Sequence, residues 1–235
     1  MLVVIPTYNE ADNIVDLVNA VLDSFDKADV LVVDDNSPDG TAEIVKREFG
    51  NNKRVNLIVR QNKKGLGRAY VEGFKWGLEK GYGYFLEMDA DFSHDPREIP
   101  NFYSYLQEYD VVIGSRYIDG IRVLNWNLKR LIISQLGSLY ARVVTGLKLT
   151  DMTGGFNGYR AKVLESINLD KIDSNGYAFQ IELKFRAYVK GFKLYEIPII
   201  FKEREKGVSK MNKSIIFEAI LECIKLRIQK IFKRI

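Results

Sequence analysis

With 235 residues, 46% of them hydrophobic and no repeat or low-complexity stretch, the chain can bury a full core as one large domain or as one domain with an elaborated end. Its one cysteine, Cys223, excludes an internal disulfide and makes a reducing compartment the simple reading. The net charge of +4 is uneven: residues 202–235 hold ten Lys or Arg against four Glu, a surplus of six that leaves −2 for the rest. A basic end on a nearly neutral body suits an anionic surface, whether phosphate-bearing ligand, lipid headgroups or nucleic acid, although a solvated helix face would look the same.

The start, Met1-Leu2-Val3-Val4-Ile5-Pro6, carries neither a basic segment nor a long apolar stretch, which argues against a signal peptide. Apolar runs of strand length then alternate with amphipathic stretches: strands at 2–5, 30–33, 55–59, 84–88 and 111–113, with helices at 11–25, 41–49 and 66–79 between the first four. Strands separated by helices of this length predict βαβ units, hence an α/β fold whose mostly parallel sheet is covered on both faces and binds ligands at its carboxyl edge.

Chemistry is expected in the loops at the strand ends. Pro6 stops the first strand, and Tyr8 beyond it can offer a flat face to a base. The second leads into Asp34-Asp35-Asn36-Ser37-Pro38-Asp39-Gly40, a polar turn with acceptors for base or ribose donors. After the third, Lys63-Lys64-Gly65-Leu66-Gly67-Arg68 is a basic glycine loop opening a helix, suited to anions. Each reads equally as turn and helix-cap punctuation, and only their placement at successive strand ends argues for a site. The fourth run, Tyr84-Phe85-Leu86-Glu87-Met88, ends in Asp89-Ala90-Asp91. Side chains at i and i+2 leave a strand on one side, so Asp89 and Asp91 can converge, and two carboxylates that close call for a cation. Mg2+ or Mn2+, sharing its shell with substrate phosphate oxygens, answers that need.

From Ile121 to Thr150 there is no Asp or Glu but five bases, with an apolar stripe at Leu128, Ile132, Leu136, Leu139, Val143 and Leu147. Helical spacing makes the stripe either ordinary core packing or a face for anionic membrane. Arg130 and Ser134, four apart, share a helix face and can clamp one phosphate. The longest uncharged run here, 131–141, falls well short of the ~20 residues that cross a bilayer. The last stretch, 214–235, places Phe217, Ile220, Leu221, Ile224, Ile228, Ile231 and Ile235 at spacings of three and four, with Glu218, Glu222, Lys225, Gln229 and Lys233 on another face. Such a helix lies on membrane, packs on its own domain, or docks a small membrane subunit.

Taken in order, Ile5-Pro6-Thr7-Tyr8-Asn9-Glu10, Val33 to Thr41, Lys64-Gly65-Leu66-Gly67 and Met88-Asp89-Ala90-Asp91 resemble family 2 glycosyltransferases of the GT-A fold. Gly114-Ser115-Arg116-Tyr117, Asn125-Trp126, Arg130, Ser134, Asp151 to Phe156, Gly176 to Glu182, Glu196 to Ile199 and Arg204 to Met211 are similar to the polyprenol-phosphate (dolichol-phosphate) mannose synthases within it. The resemblance covers nearly the whole chain. It implies a GT-A, Rossmann-like catalytic domain over 1–213, with 214–235 a C-terminal basic amphipathic helix that is no independent domain. It also implies inverting transfer of mannose from GDP-mannose to dolichyl or polyprenyl phosphate, for glycosylation or glycolipid assembly.

Carried over residue by residue, the resemblance gives Pro6, Tyr8, Glu10, Val33 and Asp35 the guanosine part, and Asp89, Ala90 and Asp91 the ribose, diphosphate and metal. Arg116, Arg130, Ser134, Arg204 and Lys210 meet the phosphates of donor and acceptor. Ser93 stands where a relative carries a glutamine ligand to the metal, so a hydroxyl or its water would replace the amide. The implied partners are GDP-mannose, polyprenyl phosphate, a membrane surface on its cytoplasmic face and a small membrane subunit, with no nucleic acid. Because a phosphate monoester is already an anion near neutral pH, attack hardly needs a general base, and His94 reads as a surface-loop residue. Two alternatives stand beside this reading. One is a transferase with the same acceptor class and UDP-glucose or another donor; the other is a receiver-type or nucleotide-sensing switch, which Asp34-Asp35 suits but which predicts about half this length and no role for Asp89-Ala90-Asp91.

Overall fold

In the computed structural model of the chain, residues 1–61, 65–172, 174–203 and 213–232 are described. The first half runs β1 (Leu2–Thr7), α1 (Ile14–Ser24), β2 (Asp29–Asp34), α2 (Thr41–Phe49), β3 (Val55–Val59), α3 (Leu66–Glu79) and β4 (Tyr84–Glu87). After it come α4 (Ile99–Tyr105), β5 (Val111–Ser115), β6 (Val123–Leu124), α5 (Leu128–Thr145), β7 (Asn157–Arg160), α6 (Ala161–Ser166) and α7 (Gly176–Val189). The chain then forms β8 (Leu194–Pro198), β9 (Phe201–Lys202) and α8 (Lys213–Ile231).

Seven strands pair in the order β3-β2-β1-β4-β7-β5-β8, and β6 with β9 makes a separate two-stranded ribbon. All neighbours are parallel except β7, which runs antiparallel to both β4 and β5. That one reversal leaves β4 and β5 parallel to each other. The carboxyl ends of β1, β2, β4 and β5 therefore share one edge, where ligands of such sheets bind.

Alternation along the strands divides the core into two layers. Leu2 and Val4 of β1 and Leu31 and Val33 of β2 point to the side covered by α3, α6, α7 and α8, while Val3, Ile5, Val30 and Val32 point to α1, α2 and α4. Gly73 and Gly77 let α3 lie close on the sheet, since a Cβ at either would collide with Val4 or with Leu2 and Phe85. The predicted strands and the helices at 41–49 and 66–79 fall where expected, and the first helix begins later, at Ile14.

Two helices differ in orientation from the first three. On α5 the buried residues are Ser138, Ala141 and Thr145, while Leu128, Ile132, Leu136, Leu139 and Val143 are exposed. Leu147, expected on the same stripe, lies past the left-handed Gly146 that ends the helix, and it is buried in the core. On α8, Cys223 and Leu226 join the core and Tyr140 Oη donates to the Ile220 carbonyl, while Phe217, Leu221, Ile224, Ile228 and Ile231 face outward. Glu218 and Glu222, placed by periodicity on a face other than the apolar stripe, turn inward: Glu218 accepts from the Asn175 N–H at 3.0 Å and Glu222 is buried. Lys233 and Ile235 lie outside the described residues. Among the described residues no helix is long and apolar enough to cross a membrane.

Candidate active site

The loops after β1 and β2 are tied together from below. The Thr7 hydroxyl donates to Asp34, which also accepts from the Ser37 N–H and hydroxyl. Asp39 accepts from the Ala11 and Thr41 N–H groups and the Thr41 hydroxyl, and these bonds, against the effect of burial, hold its pKa below the usual value. Two acids of the polar turn, Asp34 and Asp39, thus serve the loops themselves. Asp35 differs: its carboxylate lies 3.1 Å from Nε of the buried Arg60. Pro6 does not stop β1 as expected but lies within it, in register with Val33, and Tyr8 and Glu10 follow the strand on this edge, with Asn9 in the left-handed region at φ 61°. The Val33 side chain belongs to the core against α3, so only its main chain can face a nucleoside.

Gly65 opens α3 with φ 90°, and a Cβ there or at Gly67 would run into Asn175 or the Ser174 carbonyl. Close approach of the 174–175 segment, as much as anion binding, requires these glycines. Lys63 and Lys64 of that loop lie outside the described residues, as do Arg204 and Lys210.

Beyond β4 the chain makes a tight turn through Asp89, Ala90 and Asp91. Phe92 takes φ 58°, a strained conformation for an aromatic residue. The Ser93 N–H donates to Asp91 Oδ1 at 3.1 Å, and the Asp89 N–H donates to His94 Nδ1 at 3.1 Å. Tyr70 Oη approaches Asp89 Oδ1 at 3.4 Å. The Ser93 hydroxyl is buried without a hydrogen-bond partner among the described residues, an orphaned oxygen beside Asp91. Two carboxylates and a hydroxyl form an all-oxygen donor set, which fits a hard divalent ion.

His94 is not the surface-loop residue expected. It is 1% exposed and stacked on Phe156 with ring centroids 4.6 Å apart, and burial pushes its pKa down to about 4. The neutral ring is therefore an acceptor that shapes the acidic turn.

At the end of β5, Arg116 is buried and bonded to Asp151 through Nε and Nη2, both at 2.6 Å, and through its own N–H. Nη2 also donates to the Thr153 hydroxyl. Burial opposes both charges, but the ion pair prevails, raising the Arg116 pKa and holding Asp151 down at about 2. The 150–154 segment that carries Asp151 is fixed twice. Glu196 accepts from the Thr150 and Asp151 N–H groups, and the buried Lys184 ammonium donates to the carbonyls of Asp151, Met152 and Gly154. Asn157 joins this segment to the strand of the acidic turn, its Nδ2 donating to Gly154 O, Gln180 and Glu87. Burial drives the Glu87 pKa up and the Lys184 pKa down.

Arg130 and Ser134 do share a face of α5, and both line a cavity of about 330 Å³ between α5, α7 and α8. Ser134 accepts from Tyr117 Oη at 2.8 Å, and Arg130 Nη1 donates to Glu203 at 2.6 Å. The cavity is largely apolar, with Trp126, Tyr140, Tyr177 and Cys223 among its walls, and it reaches Leu136 and Ile220 on the outward face. Arg116 and Arg130 both stand over the Trp126 ring, at 5.5 and 4.2 Å from its centroid, so the structure gathers the two arginines over one indole, which lines the same cavity as Ser134. Sequence reasoning assigned no part to Asp151, Lys184, Arg60 or Glu203. Composition does not mark Lys184, because the same helix also carries Gln180, Glu182 and Arg186.

The family model described as Glycosyl transferase family 2 matches residues 2–167. An undecaprenyl-phosphate mannosyltransferase of Micrococcus luteus is 45% identical over 94% of this chain and 91% of that protein. A polyprenol monophosphomannose synthase of Mycolicibacterium smegmatis is also 45% identical, over 94% of this chain and 84% of that protein. Among solved structures, glucosyl-3-phosphoglycerate synthase of Mycobacterium tuberculosis, in complex with Mn2+, UDP and phosphoglyceric acid, superposes with a TM-score of 0.73 at 15% identity, covering 96% of this chain and 78% of that one. An enzyme family thus replaces the receiver-type switch as the frame for the acidic pairs: the chain belongs to glycosyl transferase family 2 and has its GT-A fold.

Proposed function

We propose that the protein transfers mannose from GDP-mannose to the phosphate of a polyprenol, inverting the anomeric carbon and releasing GDP. The observation that carries this reading is the cavity beside Arg130 and Ser134, where a guanidinium and a hydroxyl open onto apolar walls that continue to an apolar outer face. A polyprenyl phosphate has that same order of parts, and the names of both 45% identical relatives support it. Pro6, Tyr8, Glu10, Asp35 and the Val33 main chain would hold the guanosine. Arg116 would meet phosphate through Nη1, since Nε and Nη2 are committed to Asp151 and Thr153. Arg204 and Lys210 keep their phosphate roles on the sequence argument alone.

Asp89, Asp91 and Ser93 would hold Mg2+ or Mn2+, which supplies charge neutralisation to the departing diphosphate. Among the described residues no three His, Cys, Asp or Glu side chains gather to hold an ion by themselves, so substrate oxygens and water would complete the shell. A phosphate oxygen of the acceptor forms the new bond to the anomeric carbon as the bond to GDP breaks, and the electron pair leaves on the diphosphate. The attacking oxygen is already anionic, so no base is needed, which suits a buried, neutral His94. The outward face of α5 and α8 would lie on the cytoplasmic face of the membrane that carries the acceptor, or against a small membrane subunit there.

The test is incubation of the purified protein with labelled GDP-mannose or UDP-glucose, a short polyprenyl phosphate and Mn2+ or Mg2+. Lipid-linked mannose is expected from GDP-mannose; label moving only from UDP-glucose would overturn the donor, and none moving from either would overturn the reaction. Asp91→Asn is expected to keep the fold and lose nearly all transfer, and near-parent turnover in Mn2+ would remove Asp91 from the mechanism.

A further inference from the structure

We infer that Trp126 is a positioning residue for the acceptor phosphate, its indole fixing the spacing and direction of the Arg116 and Arg130 guanidinium groups. This rests on the proposed clamp role of those arginines. Both guanidinium carbons stand over one ring, at 5.5 and 4.2 Å from its centroid, so they are no further apart than the sum of those distances. Two cations that close repel each other, yet one phosphate can be gripped from two sides only if they stay close. The ring answers this by presenting its negative π-face to both charges, while Asp151 and Glu203 neutralise each arginine from outside.

The local chain is built to hold the indole there. Asn125 takes φ 64°, and the Asn127 side chain caps α5 by accepting from the Arg130 N–H at 2.8 Å. Trp126 therefore sits just before the cap and Arg130 at the third helical position, so the cap that fixes the helix start also fixes the spacing of the ring and the guanidinium. The opposite anchor is Phe201, edge-on to the indole with centroids 5.4 Å apart, on the short strand that leads to Glu203. The Trp126 Nε1–H is buried without a hydrogen-bond partner among the described residues, and the residue lines the cavity beside Arg130 and Ser134. Arg116 is held twice by Asp151, whereas Arg130 has one carboxylate bond besides the ring, so losing the indole should release Arg130 first.

The experiment compares acceptor and donor KM for the full chain, Trp126→Leu, Trp126→Phe, Arg116→Lys and Arg130→Lys, with the thermal midpoint of each. Trp126→Leu, which removes the π-face, is expected to raise the KM for short polyprenyl phosphate roughly tenfold, with Trp126→Phe between it and the parent. The GDP-mannose KM should stay near parent for both. An acceptor KM unmoved in Trp126→Leu while Arg130→Lys raises it would overturn this inference and leave the clamp standing. The same holds if leucine and phenylalanine behave alike or if donor KM rises equally. Both lysine variants at parent KM would overturn the clamp, and this inference with it. Should the leucine variant unfold, Trp126→Phe decides: about a twofold to fivefold rise confined to the acceptor supports the role, and a parent value overturns it.

Discussion

Helices α1 and α3 carry the same sequence signal as α5 and α8, apolar residues every three or four positions, yet the two pairs are mounted in opposite senses. In α1 the stripe Ile14, Leu17, Val18 and Val21 is buried against the sheet, and in α3 Tyr70, Val71 and Phe74 are. In α5 and α8 the stripe faces out, with Val143 71% and Ile231 64% exposed. Small residues of α5 and two acids of α8 turn inward in its place. Periodicity fixes which residues share a face but not what that face meets. The distinguishing signal is on the other side of the helix: Ser138, Ala141 and Thr145 let α5 approach its neighbours closely without needing its leucines. A contiguous apolar face on a folded chain marks a contact with something else, and α5 lies in the acid-free, basic 121–150 segment, a composition suited to anionic lipid.

The largest effect is expected where the stripe faces in. Phe74 is fully buried among the rings of Tyr70, Phe85 and Tyr159, and Phe74→Ala should cost about 3–5 kcal/mol in urea unfolding. Val143→Ala should stay within about 0.5 kcal/mol of the parent. Comparable losses in the two variants would erase the distinction between the helix pairs.

Next in size is the effect on membrane. Changing Leu139, Val143, Ile224 and Ile228 together to serine removes outward apolar area without touching the cavity walls. Co-sedimentation with anionic liposomes should fall by more than about tenfold while transfer to a water-soluble short-chain acceptor continues. A variant that sediments like the parent would show that lipid is not what the face meets. Substitution is a cleaner test than truncating α8, because Leu226 is part of the core.

Much of the fold was legible because the first five strands are short apolar runs bounded by turn residues, and loops after parallel strands are where sites form. β7 was not, since Asn157-Gly158-Tyr159-Arg160 is polar, short and inserted between strands that precede it in sequence. At the site, sequence position singled out Asp35 and Asp91 but not what their neighbours do. Asp34 proved to be turn scaffolding and His94 a buried support for the acidic turn. Asp151 and Glu196 stood within motifs of the resemblance but were given no role, and Lys184 was not singled out, because each acts through contacts some 30 to 45 residues away in sequence, for which local spacing carries no signal.

The smallest effect concerns the acid that an outward stripe forces inward. Glu222 is 7% exposed, and both its oxygens accept from Lys225 Nζ, at 3.0 and 3.2 Å. Burial above all raises its pKa, the Lys225 bond opposes that, and nearby Glu182 adds to it. A carboxyl whose folded pKa lies above its unfolded value favours folding below the ordinary carboxylate range, and that contribution is lost as pH rises through the folded pKa. Glu222→Gln keeps the shape and removes the charge, so at pH 7 the variant should be as stable as the parent or more so, by under about 1 kcal/mol. As pH falls below the unfolded value, the parent should draw level or ahead. Thermal midpoints from pH 4 to 7 read this directly. A parent that is the more stable at pH 7, and loses that lead as the medium is acidified, would mean that Glu222 is held as a favourable ion pair, and that the inward face of α8 was selected for charge and not merely left over from an outward stripe.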